Sequence, residues 1–198
     1  KFRDSRRMYV AGVPAIVNRI SFTGELGYEI YVAPHYQIKL YEELTEAGKE
    51  FNIKPFGLRA LMSMRLEKNW GAWALDYRPD FTAKETGLDA FINWDKDFIG
   101  KKYAKEDNSS NKLTPMVVET NEIDVTYNEA VLKDDKAIGY VTSGGFAHFV
   151  NKSVAFSYLD TNKLNSGKGI QVEINGDLFN CNLIKEPLYD PSGSKMRS

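Results

Sequence analysis

The chain reads as an α+β protein in which a unit of short strands and two helices is followed by a small all-β unit. Three observations predict this. A glycine-bracketed hairpin lies within the first 32 residues, two stretches of helical periodicity occupy 36–67, and six short strands with turn punctuation follow residue 112. At 198 residues, 42% hydrophobic and 13% aromatic, the chain has ample material for a packed core, and its length allows one large or two small domains.

In the hairpin, residues 15–20 are β-branched and apolar, which suits a strand. Past the turn, Tyr28, Ile30 and Val32 alternate with Glu29 and Tyr31, giving one apolar and one polar face. Gly24 and Gly27 turn the chain, one of them at positive φ. This pattern puts the Glu29 carboxylate opposite the core side chains, where it meets either water or a ligand. A helix is expected over about 36–51, with Ile38, Tyr41, Leu44, Ala47 and Phe51 as its inner face. A second is expected over 57–67, with Leu58, Leu61, Met62 and Met64 apolar. Residues 70–86 are irregular and aromatic, and a loop this long in a compact domain is more often functional than idle. A strand is expected over 88–94, then a short turn or helix over 97–105.

The polar run 106–112 is the best boundary, dividing the chain into 1–107 and 113–198. Beyond it, strands are expected at 116–120, 129–132, 137–143, 154–158, 170–174 and 178–184. Asp134-Asp135 and Asn175-Gly176 fall where hairpin turns belong, and Gly144-Gly145 allows a bend. So many strands with so little helix argue for a small antiparallel barrel or sandwich.

Composition excludes several functions. A net charge of −1 gives no electrostatic case for nucleic acid or an anionic membrane. No apolar run approaches the roughly 20 residues that span a bilayer, and no signal peptide is visible. A single cysteine, Cys181, excludes an internal disulfide or a cysteine-based zinc site and fits a reducing cytoplasm, or a mitochondrial matrix in a eukaryote. His35 and His148 are too few for a metal centre, so no metal site is expected. Neither a dinucleotide fingerprint nor a Walker loop is present, and no Ser/His/Asp set can be placed. The chain starts at Lys1 and runs straight into a strand, as a piece of something longer would.

Ser21-Phe22-Thr23-Gly24-Glu25-Leu26-Gly27-Tyr28-Glu29-Ile30 resembles the Tyr-Thr-Gly-Glu-x-Gly-x-Glu signature of the aminomethyltransferase (glycine-cleavage T-protein) superfamily. Further segments resemble the family in the same order. They are the helix 57–68 with its Arg65-Leu66-Glu67 ending, Glu85-Thr86-Gly87-Leu88 and Lys96-Asp97-Phe98-Ile99-Gly100. Gly139 to Gly145, Lys152 to Tyr158 and Glu186-Pro187-Leu188-Tyr189-Asp190-Pro191 follow. The last of these and the Lys96–Gly100 segment are most similar to the carboxy-terminal, folate-binding half of dimethylglycine and sarcosine dehydrogenases.

The resemblance implies a partial folate-binding fold, a mixed sheet with two helices, followed by a small antiparallel β-barrel. It implies tetrahydrofolate as cofactor and an iminium derived from an N-methyl amine as the one-carbon source, with FAD held only in an N-terminal part absent from this sequence. Glu29 then grips the pterin ring donors as a bidentate acceptor. Phe22, where tyrosine is common, lies beside the ring, with Tyr28 and the carboxy-terminal Tyr189 as further cofactor contacts. Arg65 and Glu67 are read as a buried structural pair. Leu61 stands where stand-alone T-proteins carry a folate-contacting arginine. The family's catalytic aspartate lies upstream of these residues, so no catalytic residue is expected here and the chain alone is expected to be inactive. The alternatives are a stand-alone folate-dependent aminomethyltransferase or demethylase, and a non-catalytic folate-binding protein. The second is disfavoured because 22–28 lacks the cysteine motif of that branch.

Overall fold

A computed structural model describes residues 1–120, 122–164 and 169–198. They form two compact units, one of residues 1–65 with 190–198, the other of residues 66–189.

The first unit is built on a three-stranded sheet, β1 (Ser5–Val10), β2 (Val13–Asn18) and β3 (Glu29–Tyr31), with β2 in the middle. Both pairings are antiparallel. Val13 and Ala15 are buried, and Val17 and Ile30 partly so, whereas Ile16, Glu29 and Tyr31 on the other face are exposed. This is the period-2 alternation of a sheet packed on one side only. Helix α1 (Gln37–Ala47) follows a 3-10 turn at Pro34–Tyr36. Its buried residue is Leu40, while Ile38 and Tyr41, expected to face inward, are exposed. The helix stops at Gly48, where any Cβ would sit 2.5 Å from the Ile53 side chain, and the chain reverses through Asn52 at φ 54°. Apolar spacing thus locates the helix but not its covered side, and the close approach at Gly48 fits its end. Helix α2 (Leu58–Glu67) is the second expected helix. Its buried end is Arg65 to Lys68, and Leu58 is exposed.

The second unit is dominated by a closed barrel of six antiparallel strands. In chain order these are β4 (Asn111–Val118), β5 (Ala130–Lys133), β6 (Lys136–Ala147), β7 (Lys152–Asp160), β8 (Ile170–Ile174) and β9 (Asp177–Leu183). The ladder runs β4-β7-β6-β5-β8-β9, and β9 pairs back to β4, which decides between barrel and sandwich. Met116, Val131, Val141, Leu159, Ile170 and Val172 point into its core. Both expected hairpin turns are left-handed, Asp134-Asp135 at φ 50° and 59° and Asn175-Gly176 at φ 54° and 91°. Gly139 is required by packing, since a Cβ there would lie 1.9 Å from the Tyr158 carbonyl.

The expected strand at 88–94 is not one. Residues Asp89–Phe91 form a 3-10 turn after Gly87 at φ 74°, and the Phe91 and Ile92 N–H groups donate locally to Leu88 and Asp89. The alternation of Leu88, Ala90 and Ile92 finds no partner strand, because the barrel closes on its own six. Helix α3 (Lys101–Glu106) takes up the expected short helix.

The irregular stretch 70–86 is held in this unit by buried polar bonds. Asp76, fully buried, accepts from the Ala72 N–H at 2.8 Å and from the Thr142 and Ser143 hydroxyls at 2.5 and 2.6 Å. Tyr158 donates to its carbonyl at 2.8 Å and stacks on Phe81. Arg78 donates to the Tyr127 and Tyr140 hydroxyls. Burial, and then the Asp76 charge, pushes the Tyr158 phenol well above its ordinary value.

Candidate functional site

The segment between β2 and β3 folds on its own short polar side chains. The Gly24 N–H donates to Ser21 Oγ at 3.0 Å and the Glu25 N–H to Thr23 Oγ1 at 3.3 Å. Gly24 takes φ 89°, and at Gly27 a Cβ would lie 2.9 Å from the Ile20 carbonyl. The two glycines therefore do different work, one for a left-handed turn and one for close approach.

This loop delivers Glu29 at the start of β3, paired with Asn18. Its carboxylate stands on the exposed face, where Tyr31 Oη donates to Oε2 at 2.5 Å. The register Arg7–Ile16–Tyr31 places those three across the same face, beside the row Ser5–Asn18–Glu29. A groove of about 620 Å³ opens along it, lined by Arg7, Tyr9, Pro14, Ile16 and Tyr31 among others. Glu29 is not one of its lining residues, but it shares this face with Tyr31, which is. The Tyr31 phenol is held above its usual value by its bond to Glu29 and by that group's charge.

Of the four site residues expected from sequence, Phe22, Tyr28 and Glu29 lie in the first unit and Tyr189 in the second. Glu29 is on the open face, and Phe22 is partly buried in the loop that leads to it. Tyr28 precedes Glu29 and so points to the opposite side, with Arg6, Met8, Val17 and Arg19 as neighbours around a smaller cavity. Its ring lies under the Arg19 guanidinium, 5.2 Å from the centroid. Tyr189 belongs to the second unit and is buried there against Phe149, with Lys68 Nζ donating to its carbonyl. Glu67 is buried as expected, and its carboxylate accepts from the Phe149 N–H at 2.7 Å.

Arg19 and Tyr31 are not among the site residues expected from sequence. Arg19 is buried and donates to the Gly27, Met196 and Ser198 main-chain oxygens, so it ties the loop to the last residues of the chain. A bond across 177 positions leaves no local sequence signal. Tyr31 did leave one, since it stands two residues after Glu29 on a strand and must share its face. Among the described residues there is no cluster of His, Cys, Asp and Glu able to hold a metal, and no helix long and apolar enough to cross a membrane.

Comparison with known proteins agrees with this architecture. Residues 1–96 match the model of the GCVT N-terminal domain and residues 111–190 that of the glycine cleavage T-protein C-terminal barrel domain. The chain is 34% identical over its whole length to human mitochondrial dimethylglycine dehydrogenase, and 36% identical to the rat enzyme, spanning 24% of each. It is 30% identical to an aminomethyltransferase of Thermoanaerobacter pseudethanolicus, over 98% of this chain and 53% of that protein. It therefore spans about a quarter of the dehydrogenases and about half of the aminomethyltransferase. Aminomethyltransferase T of the Bartonella henselae glycine cleavage system superposes with a TM-score of 0.81 at 24% identity, over 89% of this chain and 50% of that one, and so shares the fold. The two domain models between them account for most of the sequence, and the chain belongs to the glycine cleavage T-protein (GCVT) aminomethyltransferase family.

Proposed function

We propose that these residues are the tetrahydrofolate-binding portion of an FAD-dependent N-methyl amine dehydrogenase, of the dimethylglycine or sarcosine type, which passes a one-carbon unit to tetrahydrofolate. The observation that carries this reading is Glu29, an exposed carboxylate on an open sheet face beside an apolar and aromatic groove. The residues fit such a ligand, because a reduced pterin combines a flat apolar ring with adjacent N–H donors. Glu29 is the acceptor for those donors, in a charge-assisted pair stronger than neutral hydrogen bonds. Phe22 supplies an apolar wall without a hydroxyl. Tyr28 acts from the other side of the sheet, where it seats Arg19 and with it the loop. Tyr189 is retained as a contact on the family resemblance.

When bound, tetrahydrofolate supplies the amine nitrogens that take up the one-carbon unit from an iminium. This chain's residues bind and orient it, and the proton transfers fall to residues outside this sequence. The flavin, on this reading, is also held elsewhere in the longer protein, since no dinucleotide fingerprint occurs here. The domains are 1–107 and 113–198, a division supported by the two family matches at 1–96 and 111–190. The setting is a cytoplasm, or the mitochondrial matrix in a eukaryote.

A stand-alone aminomethyltransferase is the second reading, supported by the 30% identity to the Thermoanaerobacter protein. Leu61, in place of the arginine of that branch, favours the dehydrogenase. Calorimetric titration of the intact protein with tetrahydrofolate tests the site. Glu29→Ala is expected to cost roughly 2–3 kcal/mol of binding by stranding the ring donors, and equal affinity for both proteins would remove Glu29 from it.

A further inference from the structure

Tyr31 lines the groove and its hydroxyl donates to Oε2 of the Glu29 carboxylate at 2.5 Å. We infer that Tyr31 is a positioning residue, which fixes the Glu29 carboxylate so that its remaining lone pairs face the ligand. The inference deepens the folate reading of Glu29 and rests on it.

The geometry follows from the strand. Residues i and i+2 share a face, so Tyr31 stands directly behind Glu29 along β3. An isolated glutamate on an exposed strand samples many rotamers, and binding must then order it. A rigid aromatic side chain with two torsions is a good clamp against that loss. The clamp leaves the grip open, because an ionised carboxylate has about four acceptor positions and the phenol fills one. Arg7 is the cation of the same face, in line with Ile16 and Tyr31 across the strands. The raised phenol value keeps Tyr31 a donor through the neutral range.

The test uses the intact protein and the stable probe 5-formyltetrahydrofolate, with wild type, Tyr31→Phe, Glu29→Ala, Glu29→Gln and the Tyr31→Phe/Glu29→Ala double variant. Removing the phenol is expected to weaken binding about three- to tenfold in the wild-type background, as an ordered charge-assisted bond is lost. It should change nothing in the Glu29→Ala background. A second readout needs no ligand. The ¹³Cζ resonance of Tyr31, assigned by its loss in Tyr31→Phe, should titrate above ordinary tyrosine in wild type and fall back in Glu29→Gln. Wild-type affinity in Tyr31→Phe, alongside a loss in Glu29→Ala, overturns the positioning role and leaves the folate reading standing. An equal loss on removing the phenol in both backgrounds overturns it too, since Tyr31 would then touch the ligand itself. Unchanged binding in Glu29→Ala brings down the folate reading and this inference together, whatever the tyrosine titration shows.

Discussion

The two units solve the same problem, covering a sheet, in opposite ways. In the second, six strands close on themselves, so no edge is left to protect and the interior is filled by residues such as Met116, Val131 and Leu159 with no exposure at all. In the first, three strands make an open sheet with a three-residue edge strand, and its buried apolar residues are few, Val13, Ala15, Leu40 and Met196. Much larger groups of that unit stay outside, Tyr9 at 73%, Ile38 at 74% and Phe51 at 79% exposure. The contrast teaches where binding is affordable. A barrel filled with its own side chains has no room for a ligand, whereas a sheet packed on one face leaves the other open, and that face carries Glu29.

The largest expected effect lies in the second unit. Asp76→Ala strands the Ala72 N–H and the Thr142 and Ser143 hydroxyls in the interior. The loss should reach about 3 kcal/mol or more, because buried donors without an acceptor cost their full desolvation. All three tryptophans, Trp70, Trp73 and Trp94, lie in this unit, so urea denaturation followed by tryptophan fluorescence reads it selectively. A loss below 1 kcal/mol would mean that water replaces the carboxylate and that the barrel end is not dry.

Core truncations put the comparison directly at risk. Leu159→Ala, at a site with no exposure, should cost about 2–5 kcal/mol, and Leu40→Ala about 2 kcal/mol in the thinner core. Ile38→Ala, two positions from Leu40 but exposed, should stay within about 0.5 kcal/mol. Tryptophan fluorescence measures the first, and amide hydrogen exchange in α1 the other two. Should Ile38→Ala match Leu159→Ala, the exposed side of α1 is covered in the working protein and the asymmetry between the units disappears.

How far the sequence could be read follows the same division. All six barrel strands are legible in place, though β4 begins at Asn111, inside the polar run expected as a boundary, and β6 runs on to Ala147. At Asp134-Asp135 and Asn175-Gly176 those residues take the left-handed backbone that hairpin turns demand. The exposed position of Glu29 was legible as well, from alternation alone. The same alternation sends Tyr28 to the opposite face, a consequence that motif resemblance passes over. What stayed hidden depends on partners distant in sequence. The covered side of α1 is that of Leu40, not that of the apolar spacing, whose Ile38, Tyr41 and Phe51 are exposed. The run at 88–94 alternates like a strand but has no neighbour to pair with. Arg19 reaches main-chain oxygens at 196 and 198.

The smallest effect separates the units through two carboxylates, each held below the ordinary value of 3.8. In the second unit Asp107 is lowered first by the Thr82 hydroxyl, which donates at 2.5 Å, and then by the Ser109 N–H at 2.9 Å. In the first, Asp4 is lowered chiefly by its bond to Arg6, whose side chain is in solvent while Asp4 itself is partly covered. A depressed folded value stabilises above the unfolded value, and the gain is lost as pH falls through the folded one. Asp107→Asn should therefore cost about 0.5 kcal/mol at pH 7, discounted for partial solvation. The difference from wild type should shrink below pH 4, where the unfolded carboxyl protonates first, and vanish once pH has fallen through the lower native value. Asp4→Asn should leave stability nearly unchanged across the same range, since its partner Arg6 stands in solvent and the attraction is screened. Urea midpoints for both variants between pH 3 and 7 decide it. A pH-dependent loss at Asp4 equal to that at Asp107 would show that the first unit shields its polar contacts as well as the second does, and the open-sheet picture would have to give way.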